Sequence, residues 1–387
     1  MFMIPLPRFA GGGEVKVPGL RLALAAHVVI RALVLTILYF AGLFNGASPH
    51  HALTRWDAAW YGRIAEHGYG HVHMASDGRR LSDYAFFPLY PLAEHALSAV
   101  TGLPVVHAGL AISAVSSLVA AAGIYRVGTQ LHDARTGVIL VCLWSSVPVA
   151  IVQSMAYTES LFTAFVAWSL YAVLVHRYVL AGSLVALAGL TRAMSAALVA
   201  AVVSAALLGP VERSHAHTPD QSDSRSRRLL GALLAPIGLV TYLVFVGWSQ
   251  HRAFGYLDVA NDWGNGIDGG YAFFAWILQM LGDKDFPLGI ALLLGIALLG
   301  AALGHTASRG YPWPVFIFTL TAVLMSLSTS HYFGSRPRYL LPIFTLLLWP
   351  SERLAGLPNS RVVLLVSCLS AASGIYGAVW LYGPGPP

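Results

Sequence analysis

The run Leu20–Phe44, LRLALAAHVVIRALVLTILYFAGLF, decides the fold class. An α-helix needs roughly 20 apolar residues to cross a hydrocarbon core of about 30 Å, and this run supplies them. It is longer than the apolar region of a signal peptide, and no small-residue cleavage pattern follows it. It therefore reads as a first transmembrane helix rather than a leader.

Working outward, comparable apolar runs occur at 103–126, 134–152, 159–176, 178–191, 194–208, 229–250, 287–304, 312–330, 338–350 and 362–382. Together they predict about 11 spans in an all-α polytopic membrane protein. The composition agrees. Of 387 residues, 57% are hydrophobic and only 10% charged, too little polar surface for a soluble globule. Mean hydropathy is +0.66. The stretch 178–208 is long for one helix and short for two, and Gly189, Thr191 and Arg192 interrupt it. Broken helices of this kind are tolerated where they line a cavity.

The net charge is +6, yet Lys16 and Lys284 are the only lysines in an Ala- and Gly-rich chain. That bias suggests a GC-rich bacterial genome. The arginines are scattered among short loops instead of gathered on one face, so no nucleic-acid partner is expected. They follow the positive-inside rule: Arg8, Lys16 and Arg21, then Arg126 and Arg135, then Arg177, then Arg213, Arg225, Arg227 and Arg228 fall on one side. The N-terminus is then cytoplasmic, and 45–102, 153–158, 251–286 and 331–337 face outside. Arg336 and Arg338 lie on the outer side against the rule. Within a single integral membrane domain, 1–387, the polar stretch 209–228 reads as a flexible cytoplasmic loop. The outer loops 45–102 and 251–286, rich in Trp, Tyr, Phe, Asp and His, read as ordered. Cys142 and Cys368 both lie in apolar runs, which argues against a disulfide or a zinc site.

Chemistry is sought in those outer loops. In Thr54–Tyr69, TRWDAAWYGRIAEHGY, Asp57 sits among Trp56, Trp60 and Tyr61 beside the membrane, where a carboxylate is costly unless something uses it. One reading is a capping box, with Thr54 as N-cap and Asp57 at the third helical position. The other is a general base that takes a proton from an acceptor hydroxyl, with Tyr61 one turn on and on the same face. The run Asp83–Pro91, DYAFFPLYP, is either an interfacial aromatic belt or a rigid wall in which Phe86, Phe87 and Tyr90 meet a lipid tail or sugar face. Glu94 and His95 after it read as solvated helix residues.

Glu159, in Tyr157-Thr158-Glu159-Ser160, is either a favourably placed acid in a first helical turn or a second carboxylate in the outer cavity. Arg192, inside an apolar segment, suits bidentate contact with a phosphate. Arg31 in the first span can snorkel to the cytoplasm and needs no role. His331, Arg336 and Arg338 form either an interfacial anchor or a cationic cradle for a phosphate leaving group. A P-loop, a G-x-G-x-x-G turn, an H-E-x-x-H helix and a G-x-S-x-G elbow are all absent. A lipid-linked donor fits better than a nucleotide. A divalent metal could assist, but no ligand cluster stands out and none is assigned.

These segments, RWDAAWYGRIAEHGY, DYAFFPLYP, YTESLF, GLTRAMSAAL and RPRYLLPIF, resemble the PIG-V family, the second mannosyltransferase of GPI-anchor assembly, and its bacterial relatives. The resemblance runs from about residue 50 to about 350, and W-D followed by I-A-x-x-G-Y and F-F-P-L-Y-P carries most of it. It implies a GT-C type membrane glycosyltransferase taking mannose from a polyprenyl-phosphate carrier on the outer face, with Asp57 matching the functional aspartate of the first outer loop. A bacterial chain has no GPI pathway, so the lipid or glycan acceptor stays open. A transporter or flippase of a lipid-linked sugar, or a subunit presenting substrate to another enzyme, would need much the same groove.

Overall fold

The computed structural model describes residues 17–209, 225–283, 285–330, 333 and 336–383. The chain opens with α1 (Val17–Asn45), then lays an ordered cap across the helix ends. The cap comprises α2 (Pro49–Leu53), α3 (Asp57–His67), a hairpin of β1 (Val72–Met74) and β2 (Arg80–Ser82), a 3-10 turn (Asp83–Ala85) and α4 (Leu89–Thr101). The hairpin is antiparallel, with Val72 opposite Ser82 and Met74 opposite Arg80. Next come α5 (Val105–Leu131), α6 (Ala134–Ser146), a 3-10 segment (Pro148–Ser154), α7 (Glu159–Leu174), α8 (Tyr178–Gly189) and α9 (Ser195–Leu207). The second half holds α10 (Arg225–Leu234), α11 (Ile237–Ser249), α12 (Gly255–Asp262), α13 (Tyr271–Leu281), α14 (Phe286–Ser308), α15 (Trp313–Leu327), α16 (Arg336–Leu340), α17 (Leu348–Ala355) and α18 (Asn359–Leu381).

Among the described residues, five helical stretches are long and apolar enough to cross a membrane, Gly19–Asn45, Val105–Leu131, Arg225–Ser249, Phe286–Ser308 and Asn359–Leu381, and α6 with the 3-10 segment after it makes a sixth if that bent pair is one span. Their outward sides stay apolar, as Leu288, Leu294 and Leu298 of α14 illustrate, and that surface suits lipid. The protein is an integral membrane protein. The remaining apolar helices α7, α8, α9, α13 and α15 are shorter. The expected count of about 11 spans is therefore not met by long helices. Two segments depart for identifiable reasons. The run 134–152 is not one helix, because Pro148 has no N–H to extend α6 and the chain turns by 87° into the 3-10 segment. The run 338–350 is not one helix either; with prolines at 342 and 350, it divides into α16, a 3-10 turn (Phe344–Leu347) and α17.

The break after α6 changes the reading of Arg31. Its guanidinium does not snorkel. It is 7% exposed and donates to the carbonyls of Ser145 and Ala150, capping carbonyls the broken helix would leave bare. His27, one turn earlier, hydrogen-bonds Ser145 and Ser117 and stacks on the buried Trp144. The predicted loop 209–228 lies outside the described residues from 210 to 224, and its last residues already belong to α10.

Small residues set the helix spacing. Gly182 of α8 meets the backbone of Gly231 in α10, and Gly189 meets Gly238 and Leu239 in α11. Without a hydrophobic drive between helices in lipid, such backbone contact supplies the packing. The core itself runs through α1, α5, α6, α7, α9 and α15, with Tyr125, Trp144, Phe162 and Phe318 fully buried.

Candidate active site

The helix beginning at Asp57 enters through an unusual backbone. Trp56, its N-cap, has φ 55° and ψ −114°, a conformation rare for a bulky residue and costing on the order of 1–3 kcal/mol. The Arg55 guanidinium lies 4.3 Å from the Trp56 ring centre and donates to the Leu381 carbonyl at 3.2 Å, tying this corner to the end of α18. The capping-box reading fails here. Thr54 closes α2, its hydroxyl donating to the His50 carbonyl, and Asp57 is the first helical residue rather than the third. The Asp57 carboxylate is thus not used up on its own backbone.

It is used on charge. Arg338 Nη1 donates to Asp57 Oδ2 at 2.7 Å, while Arg338 Nε lies 3.2 Å from Glu159 Oε1. That same Glu159 oxygen is 2.5 Å from Arg192 Nη1. Two carboxylates and two guanidiniums therefore alternate in one row, Asp57–Arg338–Glu159–Arg192, assembled from α3, α16, the start of α7 and the break between α8 and α9. The Glu159 contacts are ionic rather than directional, since neither of its oxygens accepts an aligned hydrogen bond. Exposure is least at Glu159 and greatest at Asp57: the Glu159 side chain is 1% exposed, Arg338 8%, Arg192 15% and Asp57 22%.

Aromatic side chains enclose the row. Tyr339 stands 5.5 Å from the Arg192 guanidinium and 5.7 Å from that of Arg338, and Tyr157 covers Arg338 at 5.2 Å. The Tyr339 hydroxyl donates to Asn265 Oδ1 at 3.2 Å, linking the site to the loop between α12 and α13. Tyr61 shares a hydrogen bond with the Thr158 hydroxyl, which also accepts from Arg192. Burial, with Asp57 adding to it, pushes the Tyr61 and Tyr157 phenols well up, so both are neutral hydroxyls. Burial also works against the charge on Arg338, but Asp57 and Glu159 outweigh it and hold its pKa well above the ordinary value. Tyr339, Tyr157, Thr158 and Asn265 were not among the expected site residues. No charge flagged the first three, and Asn265 lies in a loop with no motif of its own.

The other candidates take different places. Trp60 and Trp263 remain half-buried and meet edge to face at 5.1 Å, with Phe86 stacked behind Trp60 at 5.5 Å. Phe87 packs inward against Tyr242. Tyr90 is fully buried and donates to the Gly109 carbonyl. The proline-rich run docks on the helix break, Leu89 N–H donating to the Leu190 carbonyl at 2.9 Å. An apolar cavity of about 520 Å³ opens beside it, bounded by Tyr69, Pro91, Leu92, Leu190, Tyr242 and Phe245 among others. Arg336 is turned away from the row. Its guanidinium donates to the carbonyls of Ser326, Leu327 and Thr329 at the end of α15, and lies against Phe273 and Phe333. His331 lies outside the described residues.

Among the described residues, no three His, Cys, Asp or Glu side chains are grouped to hold a metal ion. The acids of the row face guanidiniums instead.

Comparison with known proteins follows the same line. A family described as dolichyl-phosphate-mannose-protein mannosyltransferase matches residues 88–220, about a third of the chain, including Glu159 and Arg192 but not Asp57 or Arg338. No curated protein matches the sequence. Among solved structures, the oligosaccharyltransferase of Archaeoglobus fulgidus is similar over 93% of this chain and 56% of its own, with a TM-score of 0.51 and 14% identity. ArnT from Cupriavidus metallidurans, solved bound to undecaprenyl phosphate, is similar over 92% of this chain and 68% of its own, again with a TM-score of 0.51 and 14% identity. This chain thus spans little more than half the length of the oligosaccharyltransferase. At such identities the likeness speaks for architecture, and it agrees with the fold read from the sequence: the chain is an all-α integral membrane protein with the fold shared by these two enzymes.

Proposed function

We propose that this protein is an inverting glycosyltransferase that moves mannose from a polyprenyl-phosphate carrier to a hydroxyl of a lipid or glycan, on the extracytoplasmic face of a bacterial cell membrane. The observation that carries the reading is the ion row: a partly exposed carboxylate, Asp57, beside two guanidiniums held together by a buried one, Glu159. The matched mannosyltransferase family and the neighbour solved with undecaprenyl phosphate support a lipid-linked donor.

In the proposed reaction the acceptor oxygen attacks the anomeric carbon on the face opposite the phosphate. The bond from that carbon to the phosphate oxygen breaks, and its electron pair stays on the lipid phosphate. The hydroxyl proton passes to Asp57, whose Oδ1 carries no hydrogen bond among the described residues. A well-placed base of this kind contributes about 10²–10⁴ in rate. Arg338 and Arg192 receive the charge that grows on the departing phosphate, a preorganised contribution that is often the larger one. The apolar cavity beside Leu190, next in chain to the break that carries Arg192, would take part of the prenyl chain.

The test is transfer from radiolabelled polyprenyl-phosphate mannose in membranes carrying the parent protein or Asp57→Asn. Parent activity that collapses in the variant supports the reading. Full transfer by the variant removes Asp57 as the base, and translocation of the labelled lipid without transfer by the parent would make the protein a flippase.

A further inference from the structure

Resting on that reading, we infer that Asp57 occupies the seat of the donor phosphate on Arg338 in the ligand-free protein, so that the base is released only when the donor arrives. Three observations converge. Asp57 and Glu159 both pair with Arg338, but only Asp57 is reachable: its side chain is 22% exposed, whereas Glu159 is 1% exposed and shared between two cations. An anion approaching Arg338 from outside therefore meets Asp57 first, and Asp57 is the one that can retreat into water.

The Arg338 guanidinium carbon also lies over the rings of Tyr157 and Tyr339, 5.2 and 5.7 Å from their centres. The N–H donors of a guanidinium lie in its plane, so an incoming phosphate bonds along the edge, where Nη1 already donates to Asp57 Oδ2 at 2.7 Å. That edge suits oxygen pairs, and a phosphate competes for it on the same terms as a carboxylate.

Finally, the charges balance. Two carboxylates and two guanidiniums sum to zero in the closed row. A sugar-phosphate diester carries one negative charge, so it replaces Asp57 on Arg338 without leaving the buried row with an excess of either sign. Glu159 keeps the two guanidiniums side by side throughout. The consequence is an order of events: donor first, base freed second, acceptor deprotonated last.

Competition of this kind lowers the apparent affinity for the donor by the fraction of protein with a vacant seat. Removing the internal anion should therefore tighten donor binding while abolishing transfer. The experiment measures binding of undecaprenyl-phosphate mannose, the singly charged diester, with no acceptor present, to the purified full chain in nanodiscs, read by tryptophan fluorescence and checked with radiolabelled lipid. Asp57→Asn and, against misfolding, Asp57→Ser are compared with the parent, Glu159→Gln and Arg338→Gln.

Binding about tenfold or more tighter in either Asp57 variant, with weaker binding in Glu159→Gln and Arg338→Gln, supports the exchange. Equal or weaker binding in both Asp57 variants with a weakened Arg338→Gln overturns the exchange and leaves the phosphate site standing. Equal tightening by Glu159→Gln also overturns it, since any lost negative charge would then suffice. Unchanged binding by Arg338→Gln overturns both the exchange and the phosphate site.

Discussion

Glu159 Oε1 lies 2.5 Å from Nη1 of Arg192, and the same oxygen faces Nε of Arg338 at 3.2 Å. One buried carboxylate thus holds together two guanidiniums that repel each other. Removing one partner of a buried ion pair leaves an uncompensated charge and costs about 3–5 kcal/mol, more than the pair itself is worth. Glu159→Leu is accordingly expected to lose about that much stability, seen as a large drop in melting temperature of the detergent-solubilised protein. Glu159→Gln keeps the shape and should fold, but with its arginines released it should transfer sugar at least tenfold more slowly. A thermally normal Glu159→Leu would show that the arginines have other partners.

Tyr339 makes a separable contribution. Its ring faces Arg192 and Arg338 at once, and its hydroxyl reaches Asn265. A cation over an aromatic face is worth about 0.5–2 kcal/mol, depending on desolvation. Tyr339→Phe retains the ring and should stay within about threefold of the parent in kcat/KM for the lipid donor, whereas Tyr339→Leu should fall about tenfold or more, chiefly in KM. Equal losses in both variants would move the importance from the ring to the hydroxyl and its loop.

These four charged residues were legible in the sequence for a plain reason: ionisable groups in apolar surroundings are costly and stand out. Their pairing was not legible, because Asp57 and Arg338 are 281 positions apart and no local pattern links them. Thr54-x-x-Asp57 matched a capping box in letters, but Thr54 was already committed to the end of α2. Arg336 carried the same positional oddity as Arg338, yet its guanidinium caps α15. An arginine that breaks the positive-inside pattern marks a site or a helix end equally well. The apolar runs located the helices, but the count of about 11 spans is not confirmed, since prolines divide 134–152 and 338–350 and several other apolar helices are short. Glu94 was misjudged outright, since an acid in a mixed-polarity helix looks solvated and this one is fully buried.

Helix contact around the broken span yields the next test. A methyl added at Gly238 in α11 would overlap the Ala186 carbonyl oxygen of α8, a backbone atom that cannot swing aside. Overpacking of this kind typically costs about 1–3 kcal/mol. Gly238→Ala should lower the melting temperature, and because α8 ends three residues before Arg192 it should also reduce transfer. Gly295→Ala in α14, where an added methyl meets nothing within 4 Å, is the matched control and should leave both unchanged.

Glu94 sets a pH dependence that a surface carboxyl would not. It is 0% exposed, both its oxygens lack a hydrogen-bond partner among the described residues, and it presses on Gly109 of α5. Burial, helped by Glu66, raises its pKa from 4.5 to about 9. The folded protein then holds a proton there that the unfolded chain has released above about pH 4.5. Stability from this group is complete below that value, declines as pH rises, and levels off above about pH 9, with a slope of at most about 1.4 kcal/mol per unit. Glu94→Gln carries no charge at any pH and should erase the decline. Its melting temperature should therefore exceed the parent's at pH 8 and converge toward it near pH 5. Parallel curves for the two proteins across that range would mean that Glu94 is ionised and paired in the folded state.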